Sequence, residues 1–119
     1  VLALDQGTTG SNASIFRLPD LELIATSKVE FTQHYPQPGW VEHDPEEIWS
    51  SVLTALEKSI KTASDVDSNF STSRIQSIGI TNQRETIIPV NITAKNQHAR
   101  AIVWQDRRTA TYCEALSLE

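Results

Sequence analysis

The stretch Asp5-Gln6-Gly7-Thr8-Thr9-Gly10-Ser11 concentrates groups that could do chemistry near the start of the chain. The apolar run Val1–Leu4 ends on a carboxylate and breaks into a Gly/Thr turn, and Ala13-Ser14-Ile15-Phe16 leads away. This reads as strand, tight turn, strand, with polar groups at the tip. Such a tip suits a phosphate. Gly7 and Gly10 allow close backbone approach and φ > 0. Thr8, Thr9 and Ser11 add hydroxyls, and successive amide N–H groups can form an anion nest. Asp5 would face a hydrated Mg²⁺ carried in with the phosphates. A plain hairpin with a polar tip also fits, although a hairpin needs only the glycine, not an acid followed by three hydroxyls. The stretch is not a Walker loop, because no Lys-Ser/Thr pair opens a helix here. The dinucleotide Gly-x-Gly-x-x-Gly pattern is also absent.

A second polar cluster, Thr81-Asn82-Gln83-Arg84-Glu85-Thr86, follows the apolar segment Ile75–Ile80. The end of a buried strand is where open α/β sheets bind ligands. Arg84 offers a rigid fork of donors and Glu85 accepts from hydroxyls, a pairing suited to a polyhydroxylated small molecule. Trp104 could wall off its carbon backbone. The plainer alternatives are a solvated turn with a surface ion pair for Arg84-Glu85, and core packing for Trp104. His34 and His43 lack a third ligand at zinc spacing. Cys113, the only cysteine, reads as a small buried or half-buried hydrophobe.

These residues need a frame. Leu21–Phe31 reads as a third strand after a Pro19-Asp20 turn. Residues 33–43, with Pro36, Pro38 and Gly39, read as a rigid loop anchored by Trp40. Asp44-Pro45-Glu46-Glu47 is a helix start, with Asp44 as N-cap, Pro45 at the first helical position and Glu47 closing a capping box. Ile48, Trp49, Val52, Leu53, Leu56 and Ile60 then form its core stripe. Lys58 and Lys61 fall near its C-terminal end. A loop is expected over 64–73, then a buried strand over 75–80, a short strand over 86–90, an apolar run over 101–104 and a final helix over 108–118. Three antiparallel strands, a crossover helix and a parallel strand make an α/β protein with a mixed sheet. That order is the ribonuclease H-like one, shared with actin and hexokinase-like ATPases.

Ten basic and fifteen acidic residues leave a charge of −5, which disfavours a general nucleic-acid or anionic-membrane binder. A lone cysteine excludes an intrachain disulfide and favours a reducing, cytoplasmic setting. No apolar stretch approaches the ~20 residues of a membrane span. With 39% hydrophobic residues, a chain of this size can bury roughly two-thirds of its unfolded surface.

Four blocks resemble the FGGY carbohydrate kinases, in particular the branch acting on glycerol. They are Ala3–Thr9, Tyr35–Pro45, Ile78–Thr86 and Ala101–Thr109. Gly39-Trp40-Val41-Glu42-His43 and Asn82-Gln83-Arg84-Glu85-Thr86 are specific to that branch. The resemblance implies ATP- and Mg²⁺-dependent phosphorylation of a terminal hydroxyl of glycerol. By its motifs, Asp5 serves the Mg²⁺ region indirectly, and Thr8, Thr9 and Gly10 hold nucleotide phosphates. Arg84 and Glu85 bind the glycerol hydroxyls, and Trp104 flanks its carbons. The phosphate turn and the Arg84-Glu85 pair are expected to face a shared cleft. Where the family carries Ser-Ser-Arg, this chain has Gly10-Ser11-Asn12, one phosphate-binding cation fewer. Residues 1–119 then form part of an N-terminal kinase domain. The general base and the adenosine-binding part are expected outside them, so the isolated segment is expected to be inactive. The full enzyme is expected to be a homo-oligomer. A non-catalytic polyol-binding module, and a kinase for another polyol, are the alternatives.

Overall fold

Ser11, Ala13 and Ile15 are buried while Asn12, Ser14 and Phe16 are only half-buried, the period of two that puts alternate side chains on opposite sheet faces. They belong to β2 (Gly10–Arg17), which lies between β1 (Leu2–Gln6) and β3 (Glu22–Glu30) in an antiparallel meander. The computed structural model describes residues 1–94 and 98–117. After α1 (Pro45–Val66) the chain returns as β5 (Ile78–Asn82), parallel to β1; β4 (Glu42–His43) precedes the helix. The main sheet has the order β3-β2-β1-β5, so the meander, crossover helix and parallel strand stand as expected. The chain divides into two compact units. One comprises Val1–Phe31 with Glu46–Gln83, the other Thr32–Pro45 with Arg84–Glu119.

The first unit's core is thin on large side chains. Leu2, Ala13, Ile15 and Ala25 of the sheet pack with Ala55 and Ala63 of α1, and Leu4, Leu56 and Ile60 border them. The helix begins at Pro45, where a missing N–H costs nothing, with Glu46 and Glu47 at its positive end. Its buried row is Ser51, Ala55, Ser59 and Ala63, one face at i, i+4 spacing. The expected stripe is therefore displaced. Trp49 and Leu53 are exposed, while Ile48, Val52, Leu56 and Ile60 are half-buried flanks. Small side chains let the helix approach the sheet closely, and hydrophobicity alone does not reveal which row will do so. The helix also runs to Val66, so Lys58 and Lys61 are not in its last turn. Lys61 instead pairs with Asp65 at 2.7 Å on the surface.

Strand β5 departs most from expectation. It begins at Ile78 rather than 75, and every one of its residues is exposed. Leu2 aligns with Ile78 and Leu4 with Ile80, so both isoleucines stand on the helix side of the sheet. The small-residue row of α1 packs over β1, β2 and β3 instead, and Ile80 remains 76% exposed. The apolar run fits a parallel strand meant for cover, but its position at the sheet edge denies it that cover here.

Gly10 illustrates close approach. A Cβ there would lie 2.6 Å from the Val29 carbonyl oxygen and 3.1 Å from Glu30 Cα. Backbone atoms cannot swing aside, so β2 and β3 would have to part. Gly10→Ala is expected to cost about 1–3 kcal/mol, seen as a lower urea midpoint at unchanged slope. An unchanged midpoint would show that the strands yield freely.

In the second unit, β4 pairs antiparallel with β6 (Ala101–Ile102), and Ile87 bridges the other side of Ile102. The expected strand over 86–90 is reduced to single bridges at Ile87 and Val90, with Pro89 between them lacking a donor. The expected rigid loop carries β4, and His34 bridges Glu42. The last helix, α2 (Ala110–Leu116), is shorter than expected and has no buried residue; residue 118 of that expectation lies outside the described residues. Cys113 is exposed on α2, not half-buried, because nothing described packs on that helix. Among the described residues no helix is long and apolar enough to cross a membrane.

Candidate functional site

The β1–β2 turn in the first unit carries Thr8 and Thr9 and is closed by the Gly7 amide donating to the Gly10 carbonyl at 2.9 Å. Neither glycine uses a positive φ; the only glycine that does is Gly39, at φ 80°. Close approach to β3, not a left-handed turn, is what requires glycine at position 10. Ser11 also leaves the expected tip cluster. The strand's alternation turns it toward the helix, where its hydroxyl lies 2.8 Å from that of Ser51, buried.

The same alternation sends Asp5 to the opposite face. It aligns with Asn12 of β2 and Thr81 of β5, so these three polar residues form a row across three strands on the face away from α1. Asn12, standing where the family resemblance expects a cation, is thus the direct cross-strand neighbour of Asp5. The Asp5 carboxylate is exposed and makes no ion pair among the described residues. A free, solvent-facing carboxylate beside neutral hydrogen-bonding groups fits a hydrated divalent cation. At the same sheet end the Gln83 side-chain amide donates to the Gln6 side-chain oxygen at 3.3 Å. A cavity of about 820 Å³ opens at the other end of β1, around Val1, Phe16, Arg17, Phe70 and Arg74. It is therefore separate from this turn.

The second unit gathers the other expected residues. Arg84 and Glu85 form the tight turn that follows Gln83. Glu85 holds φ at 64°, a left-handed conformation uncommon for any residue with a Cβ. Such strain persists where its surroundings enforce it, and it is concentrated at binding sites. Both side chains are exposed. No salt bridge joins them to each other or to another described residue, so the turn is solvated, as the plainer alternative has it, but without the ion pair. Ile87 and Ile102 exchange both backbone hydrogen bonds, at 3.0 and 2.9 Å, and the Trp104 amide donates to the Thr86 hydroxyl at 3.4 Å. The pairing therefore brings Trp104 alongside the Arg84-Glu85 turn. Trp104 is 52% exposed, so it presents a ring to solvent and is not core.

A third group was not foreseen as part of the site. Arg108 grips Asp106 with Nε on Oδ1 and Nη2 on Oδ2, both at 2.9 Å, and donates from Nη2 to Glu42 at 2.8 Å. Its guanidinium lies 3.8 Å over the Trp40 ring. Asp106 also accepts from the Val41 amide at 2.7 Å. The Asp-x-Arg spacing was a possible signal, but Glu42 and Trp40 are more than sixty positions away and only folding supplies them. His43, buried, lies 2.7 Å from the Gln33 side-chain oxygen. Among the described residues no group of three or more His, Cys, Asp or Glu could hold a metal.

The Arg108 side chain, foremost, holds the Asp106 carboxyl down to about 2, helped by the Val41 and Arg108 amides and opposed by burial. A carboxyl with a folded pKa below its unfolded value adds stability above the unfolded pKa, and this is lost as pH falls through the folded one. The clamp's contribution should therefore be complete above about pH 4 and vanish toward pH 2. Asp106→Asn is expected to flatten the acid-unfolding curve in that window. A slope equal to wild type would show that Asp106 is not coupled to folding.

The family model of the N-terminal domain of FGGY carbohydrate kinases matches residues 1–119. The chain belongs to the FGGY family of carbohydrate kinases. A glycerol kinase of Rhizobium rhizogenes is 49% identical over 116 residues, covering 98% of this chain and 22% of the relative. Among solved structures, the Plasmodium falciparum glycerol kinase with ADP superposes at a TM-score of 0.83 with 32% identity. That match covers 99% of this chain and 22% of that one. Xylulose kinase from Rhodospirillum rubrum gives 0.82 with 26% identity, covering 99% and 23%. This FGGY chain thus spans about a fifth of the length of the relatives it matches. The FGGY kinases share the actin- and hexokinase-like fold expected from the strand order.

Proposed function

We propose that this FGGY chain contributes part of the site of an ATP-dependent kinase that moves a phosphoryl group to a terminal hydroxyl of glycerol, giving glycerol 3-phosphate. The observation that carries the reading is the Arg84-Glu85 turn, without an ion pair among the described residues and held at a strained φ beside a half-exposed Trp104. Arg84 donates to and Glu85 accepts from two of the triol's hydroxyls, and Trp104 covers its carbons. Thr8, Thr9 and Gly10 supply donors to the nucleotide phosphates through the turn amides and hydroxyls. Mg²⁺, when bound, neutralises charge on the transferring phosphoryl, and Asp5 would hold its hydration shell. Phosphoryl transfer depends mainly on positioning and electrostatics, which these residues serve. The proton from the attacking hydroxyl goes to a base outside these residues. Glycerol is favoured over a five-carbon sugar because identity to the solved glycerol kinase is 32%, against 26% to the solved xylulose kinase, and identity to other glycerol kinases reaches 51%. The same reading places the enzyme in the cytoplasm, where ATP is supplied, as a homo-oligomer; fractionation and sedimentation check both.

The test is coupled ADP release by the full-length polypeptide with Mg²⁺–ATP and a series of polyols. Stoichiometric ADP and glycerol 3-phosphate support the proposal. Turnover only with a four- or five-carbon polyol would replace glycerol as substrate. Calorimetric glycerol binding without turnover would leave a binding module.

A further inference from the structure

We infer that Arg108 is a positioning residue, which holds Trp104 where it can wall the polyol. The inference rests on the proposed role of Trp104 and extends it to a residue that never touches substrate. The structure links the two through a short chain of hydrogen bonds within one unit. Arg108 orients the Asp106 carboxylate from both sides, through its side chain and through its own amide at 2.8 Å. The Asp106 amide closes the Trp104-Gln105 turn on the Val103 carbonyl at 2.8 Å, and the Val103 amide donates to the Val41 carbonyl at 3.1 Å. Val41 in turn donates to Asp106. The turn bearing Trp104 is thus tied at both ends to Val41, and Arg108 adds a third tie by reaching Glu42.

Two features mark this as an orienting device rather than a ligand site. Arg108 and its two acids are largely removed from solvent, with side-chain exposures of 19%, 13% and 4% for Arg108, Glu42 and Asp106. The guanidinium commits Nε and Nη2 to those carboxylates and its face to Trp40, so most of its donors are spent within the protein. A planar fork held by two acids and a ring fixes direction as well as distance, which an ammonium cannot do. A small displacement of a substrate-positioning group costs disproportionately in rate or affinity.

The experiment uses the full-length polypeptide labelled with fluorotryptophan, the Trp104 resonance being assigned with Trp104→Phe. Arg108→Met is expected to shift or broaden that resonance. It should raise the KM for the polyol about tenfold while the KM for ATP stays within about twofold. On the Trp104→Phe background the same change should add less than about twofold, because Arg108 acts through that ring. Arg108→Lys should restore only part of the loss. Glu42→Gln keeps the Asp106–Arg108 pair and should move the same quantities less, so the inference stays testable if Arg108→Met does not fold. An unmoved Trp104 resonance overturns the inference. So does a loss that strikes both substrates equally and tracks the folded fraction. If wild type turns over no polyol, the proposed function fails by itself, and the Trp104 resonance alone then decides the role of Arg108.

Discussion

Asp5→Ala in the full-length polypeptide is expected to lower kcat about 10²- to 10³-fold while leaving polyol affinity unchanged. The carboxylate is exposed, has no ion-pair partner among the described residues, and stands in a row with Asn12 and Thr81 on the face turned from α1. Nothing in the packing therefore depends on it, and its removal should not unfold the protein. If its task is to hold the hydration shell of Mg²⁺, the loss belongs to the step in which charge moves, not to binding of a neutral triol. Steady-state kinetics with calorimetry of the polyol separates the two. Unchanged kcat at saturating Mg²⁺–ATP would remove Asp5 from the site. Raising Mg²⁺ should recover part of the loss if the variant binds the metal more weakly.

Arg84→Ala is expected to act on the other substrate, raising the KM for the polyol about a hundredfold with the KM for ATP little changed. Hydrogen bonds to charged groups are worth about 1.5–3 kcal/mol, and Arg84 has no ion pair among the described residues that would need breaking first. Glu85 allows a sharper test, because its φ of 64° costs the fold while its carboxylate serves the ligand. Glu85→Gly should stabilise the fold by relieving that φ, yet weaken the polyol as strongly as Glu85→Ala does. Stability and affinity moving in opposite directions would place the strain at the binding turn. If Glu85→Gly lowered both, the turn would be a structural corner and nothing more.

These contrasts show how unevenly the sequence could be read. The turn after β1 and the Pro45 helix start were legible because both rest on local rules, namely apolar alternation, an N-terminal proline and glycine at a tip. The turn after the Ile78–Ile80 run was legible too, since a polar cluster ends an apolar strand there. Burial was read less well. The apolar run at 75–80 looked internal, yet β5 is the sheet edge and lies outside the reach of α1. On α1 the largest side chains looked like the core face, while Ser51, Ala55, Ser59 and Ala63 form it.

What residue order alone determined is therefore local: the Pro45 helix start, the polar side chains each turn offers, and the kinase family whose motifs the chain repeats. Tertiary structure decided the rest. It chose the face to which each residue of β1 and β2 points, turning Ser11 inward and Asp5 outward, because strand alternation has meaning only once a helix covers one side. It also brought Glu42 and Trp40 to Arg108 across more than sixty positions. A planar cation meets two acids and a ring in one place only when the folded backbone delivers all of them at hydrogen-bonding distance.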